Sequence, residues 1–112
     1  MVWKNLEQLS TLEELDTLSH SQPILILKHS TRCSISDVAK ARLDREENIA
    51  GVEFYYLDLL KHRDISTQLA EKYHVHHESP QVLLLHKGEC VYDESHVGIT
   101  MAEIKEQVSN VK

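Results

Sequence analysis

Cysteine occurs only twice in this chain of 112 residues, at Cys33 and Cys90, too seldom for a disulfide-stapled scaffold. No apolar run nears the ~20 residues that span a bilayer. Met1-Val-Trp-Lys leads into Asn5-Leu-Glu without the apolar core of a secretion signal. Basic residues form no run, and the formal net charge is −6, which argues against nucleic acid or an anionic membrane as partner. With three glycines and two prolines, the chain has no linker, repeat or low-complexity stretch. What remains is the expectation of one cytoplasmic domain, residues 1–112, long enough to bury a core without disulfide or metal.

The stretch that organises the rest is Ile24-Leu-Ile-Leu-Lys-His-Ser-Thr-Arg-Cys-Ser-Ile-Ser36. Ile24 to Leu27 read as a buried strand, with Lys28 closing it. Ser30-Thr31-Arg32 break it, and helical spacing resumes after Cys33. Cys33 therefore stands where a strand ends and a helix begins. The first helical turn offers unpaired N–H groups and about half a positive charge. Arg32 adds a cation. Both favour thiolate over thiol, and the thiolate is the nucleophile.

Before this stretch, Leu12, Leu15 and Leu18 predict a helix from Thr11, capped by Ser10 or Thr11. Residues 2–7 fit either an extended arm or a helix start. The helix after Cys33 is expected to run close to Asn48, with Ile35, Val38, Ala39 and Leu43 on its buried face. Residues 52–58 are a strand rich in aromatic and β-branched residues. Strand, helix, strand makes a βαβ unit, so the two strands are expected to be parallel. Asp64 starts a helix carrying Ile65, Leu69 and Tyr73. Gln81–His86 is an unbroken apolar strand of the kind covered on both faces. Lys87-Gly88-Glu89 turns it into a returning strand at 90–93. Thr100 caps a last helix with Met101, Ile104 and Val108. The order α-βαβ-α-ββ-α is that of a thioredoxin-like α/β fold: a central mixed four-stranded sheet flanked by helices, with an extra N-terminal helix.

The candidate site follows from this layout. Cys33-Ser-Ile-Ser36 is a Cys-x-x-Ser motif. A dithiol site needs a thiol at the fourth position to resolve its mixed disulfide, which serine cannot do. Ser36 is either a hydrogen-bond donor to the Cys33 sulfur or a solvated first-turn residue. Cys90 opens the return of the hairpin, on the order of 15 Å from Cys33 at ~3.3 Å per strand residue. That is too far for a disulfide. Ser79-Pro80, just before a core strand, is expected to be cis, leaving the Ser79 backbone free for an extended substrate. His29 and His96 flank the Cys33 end and are tuning groups or hydrogen-bonded histidines. His74-Val-His76-His77 lacks cysteine or acidic ligands at a recognised spacing, so no metal is expected.

Lys28–Ser36, His77–Gly88 and Ser95-His96 together resemble the monothiol bacilliredoxins, thioredoxin-like stress proteins of the bacillithiol system. The resemblance covers nearly the whole chain. It implies reduction of protein–bacillithiol mixed disulfides, with Cys33 as the active cysteine and Pro80 as the cis-proline. Bacillithiolated client proteins are then the partners, a low-molecular-weight thiol the recycling agent and bacillithiol a cosubstrate, with no bound cofactor. In this reading Arg32 and Ser36 assist Cys33, while Ser79, Pro80 and His96 position the substrate. The alternatives are a redox-sensing protein thiolated at Cys33 without turnover, and a reductase using another small thiol. The chain departs from that family pattern at Ser34, where relatives often carry proline, and at His74, where many carry glycine. The first alters the surroundings of Cys33; the second bears on stability at a left-handed helix end.

Overall fold

A computed structural model describes residues 1–111. Among these, no helix is long and apolar enough to cross a membrane. The elements are β1 (Lys4–Asn5), α1 (Thr11–Leu18), β2 (Ile24–His29), α2 (Ser34–Asp44), β3 (Glu53–Asp58), α3 (Arg63–Tyr73), β4 (Gln81–His86), β5 (Glu89–Ser95), a 3₁₀ turn at His96–Gly98, and α4 (Met101–Val111). The sheet order is β1-β3-β2-β4-β5. β1 and β2 lie parallel to β3, whereas β4 runs antiparallel to both β2 and β5.

Period-two alternation divides the core between the two faces of the sheet. Leu25, Leu27, Val82 and Leu84 pack beneath Ala39 and Leu43 of α2 and Met101, Ile104 and Val108 of α4. Ile24, Ile26, Leu83 and Leu85 face Leu12 and Leu15 of α1 and Ile65, Leu69 and Tyr73 of α3. Both central strands are thus covered on both sides, which is why they read as continuous apolar runs.

The fold is the expected one, with differences of detail: Ser10 stands at the N-cap of α1 without a side-chain hydrogen bond, and β5 runs Glu89–Ser95 rather than 90–93. The sheet has five strands, because the ambiguous arm at residues 2–7 pairs through Lys4 and Asn5 with Tyr55 and Tyr56. α2 ends at Asp44 rather than near Asn48. There the Trp3 Nε1–H donates to Asp44 at 2.6 Å, and the Asn48 side chain exchanges hydrogen bonds with the Val2 backbone. The N-terminal arm thus takes up residues that would otherwise extend the helix. The buried face of α2 is Ser36, Ala39 and Leu43, while Ile35 and Val38 are 51% and 53% exposed.

Left-handed residues shape the ends of several elements. His74 closes α3 at φ 55°, a conformation that glycine adopts without steric cost. Lys87 and Gly88, both at positive φ, make the tight turn between β4 and β5 in the manner favoured by twisted hairpins.

Candidate functional site

Sheet register brings the candidate residues to one end of the molecule. Lys28 near the end of β2 stands opposite Gln81 at the start of β4. The segment that follows β2 and the segment that precedes β4 therefore meet there. The first carries Cys33 and the second carries Ser79 and Pro80, joined by a cis bond.

Cys33 is the N-cap residue of α2, in extended conformation at φ −113° and ψ 119°. Its N–H donates to the Ser30 carbonyl at 3.1 Å, and its carbonyl accepts the first helical bond from Asp37 at 3.0 Å. The side chain is half-buried and the thiol is free. Arg32 and Ser34 on either side are exposed.

Ser36 lies on the third position of the helix, fully buried. Its partners are within the protein, so it is not a solvated residue, and the hydrogen bond anticipated with the Cys33 sulfur is not among them. Ser36 Oγ accepts the Ser30 N–H at 3.0 Å and lies 2.7 Å from Nδ1 of His29. His29 is itself buried, with Nε2 3.4 Å from Asp37. Burial pushes its pKa below the usual histidine value, and the Asp37 charge works the other way.

Across the site, Ser79 Oγ is buried without a hydrogen-bond partner. The Pro80 carbonyl accepts the His96 N–H at 3.1 Å. His96 is exposed, at φ 56°, and its ring faces Glu78 at 3.4 Å rather than the sulfur. His76 approaches the other oxygen of Glu78 at 3.7 Å. His76 and His77 point to different partners, Glu78 and Lys28. Among the described residues, no three potential ligands converge as a metal site.

Lys28, which closes the expected first strand, also belongs to this end of the sheet. It is 1% exposed. Its ammonium donates to Nδ1 of His77 at 2.7 Å and to Oε1 of Gln81 at 3.2 Å. Burial pushes its pKa down to about 8, opposed by the charge of Glu78. Gln81 in turn donates to the His76 carbonyl at 2.9 Å. A buried cation thus anchors the segment leading to Pro80. The available signal was alternation: in β2, Lys28 shares a face with Ile24 and Ile26, which is a core face.

Between α2 and the turn at His96, a cleft of about 220 Å³ is lined by Ile35, Val38, Ala39, Arg42, His96 and Val97. Val97 is 78% exposed, so with Ile35 and Val38 it gives this cleft an apolar rim. Cys90 is elsewhere. It pairs with Leu85 on the hairpin away from the Lys28–Gln81 end, packs on the α1/α3 core and donates to the Tyr92 carbonyl at 3.3 Å. Burial pushes its thiol up to about 11.

Known proteins agree with this arrangement. A solved structure with a thioredoxin fold superposes with a TM-score of 0.82 at 28% identity, over 95% of this chain and 93% of the other. Thioredoxins from Fasciola hepatica (TM-score 0.66, 20% identity, covering 97% and 99% of the two chains) and Malassezia sympodialis (0.73, 11%, covering 98% and 90%) share the fold. The family model for monothiol bacilliredoxin BrxC matches residues 4–104. With that match spanning the sheet, Cys33 and Pro80, the chain belongs to the monothiol bacilliredoxin family of thiol-redox proteins.

Proposed function

We propose that this protein is a monothiol oxidoreductase that removes bacillithiol from protein mixed disulfides. The observation that carries the reading is the pairing of a half-exposed helix-capping thiol, Cys33, with a buried Ser36 where a resolving thiol would stand. The thiolate of Cys33 attacks the bacillithiol sulfur of the mixed disulfide. The client sulfur leaves with the electron pair of the broken S–S bond and takes up a proton. A new disulfide joins Cys33 to bacillithiol. A second thiolate then attacks the bacillithiol sulfur, forming a small-molecule disulfide and releasing the Cys33 thiolate.

Other residues have supporting roles in this scheme. The unpartnered Ser79 Oγ and the backbone beside it receive the cysteinyl part of the adduct. Arg32, exposed and next to Cys33, meets the malate carboxylate of bacillithiol. His96 lines the cleft beside the client. The apolar rim of Ile35, Val38 and Val97 suits a protein client better than a free small thiol.

Steady-state reduction of a bacillithiolated protein with excess free thiol tests the reading. Wild type should turn over many times, and Cys33→Ser not at all. Arg32→Ala should slow release of bacillithiol more than release of an uncharged thiol. Accumulation of a Cys33 adduct without turnover would instead identify a redox sensor.

A further inference from the structure

The neighbours of the Ser36 hydroxyl determine where its hydrogen goes. The Ser30 N–H can only donate, and it donates to Ser36 Oγ at 3.0 Å. The hydroxyl hydrogen is then left for His29 Nδ1 at 2.7 Å. Nδ1 must accept, so the neutral ring carries its hydrogen on Nε2, facing Asp37 at 3.4 Å. One proton arrangement satisfies all three contacts while His29 is neutral.

Protonation of His29 changes that arrangement. Nδ1 becomes a donor, and Ser36 Oγ then accepts from both Ser30 and His29. Both lone pairs of the hydroxyl are used, and its hydrogen must find another acceptor. Cys33 is the N-cap and Ser36 the third helical residue. Those two positions adjoin at a helix start, where capping residues meet; with His29 neutral the Cys33 sulfur is not bonded to Ser36, and the cysteine side chain must turn towards the hydroxyl to accept from it. A thiolate at Cys33 is a strong acceptor there.

We propose that His29 is a positioning residue for the reacting cysteine: neutral, it takes the Ser36 hydroxyl hydrogen away from Cys33; protonated, it turns that hydrogen onto the Cys33 thiolate. The inference rests on Cys33 being the reacting group, but not on which thiol it serves. The charged groups around the ring are Asp37 and Lys40 on α2 and Asp58 on β3. The Tyr56 ring of β3 lies at 5.6 Å. Asp37 and Asp58 favour the imidazolium, and Lys40 with burial opposes it.

A thiolate that accepts a hydrogen bond attacks more slowly. The test is the rate of Cys33 with an uncharged aromatic disulfide, divided by the thiolate fraction read from ultraviolet absorbance. It is measured in a Cys90→Ala background from about pH 5 to about pH 8. With Ser36 intact, this thiolate-specific rate should fall roughly three- to tenfold as His29 protonates. With Ser36→Ala or His29→Gln it should stay flat. An equal fall with and without Ser36, or no fall with both groups present, overturns the proposal. Nitrogen NMR of the wild-type His29 ring gives a readout independent of any variant. The neutral ring should carry its hydrogen on Nε2; a hydrogen on Nδ1 overturns the proposal.

Discussion

Lys28 and Gln81 stand opposite each other across the β2–β4 pair, and the lysine ammonium donates to the glutamine side-chain oxygen at 3.2 Å. The lysine also reaches His77, which ties the end of β2 to the segment before Pro80. No carboxylate lies within ion-pair distance of this buried cation among the described residues. Its charge is therefore carried at a cost to folding.

That cost has a defined pH dependence. With its pKa lowered from 10.5 to about 8, folded Lys28 binds its proton less firmly than unfolded Lys28. The penalty is full at pH 7 and disappears as pH rises from about 8 towards the unfolded value. Lys28→Met removes the titration. Urea unfolding of both proteins should show the balance moving in favour of wild type by about 2 kcal/mol between roughly pH 7 and pH 9.5. A difference that stays constant over that range would mean that Lys28 is not held at a lowered pKa.

The two cysteines should separate in alkylation. Cys90 is half-buried with a thiol pushed up to about 11, so at about pH 8 only on the order of one molecule in a thousand carries its thiolate. Iodoacetamide should label Cys33 first and reach Cys90 only on unfolding. Cys90→Ser should leave turnover with an external thiol nearly unchanged. Equal labelling of both, or an isolated Cys33–Cys90 disulfide, would place Cys90 in the mechanism.

The apolar rim makes a claim about clients. Val97 is largely exposed beside His96. Val97→Asp should lower kcat/KM for a thiolated protein roughly fivefold, the loss of about 1 kcal/mol of apolar contact. It should leave the rate with a small uncharged mixed disulfide almost untouched. Equal losses for both substrates would remove the rim from client recognition.

How much of this could be read beforehand depends on where each residue's partners lie in the chain. β4 was read at its observed limits, Gln81–His86, because Pro80 marks one end and Gly88 the other. The Cys33 helix start and the left-handed His74 are likewise local features. β1 stays open in the sequence between an extended arm and a helix start because two exposed residues carry no periodicity; pairing with β3 makes them a strand. Lys28 is separated from His77 and Gln81 by 49 and 53 positions, so nothing near it in sequence announces its partners. Ser36 was legible in part: the spacing Ser36, Ala39, Leu43 is helical. The more hydrophobic Ile35 and Val38 drew the buried face one step round the helix. They are exposed where α2 meets the turn at His96.

In the proposed mechanism Cys33 attacks the small-thiol sulfur and has no internal route out of the resulting disulfide. Intact-mass analysis after mixing the protein with a bacillithiolated client, with no other thiol present, tests it most directly. Reduced client and Cys33-bound bacillithiol should form in equal amounts, after one turnover. Client attached to Cys33, or reduction that continues beyond one equivalent, would contradict it.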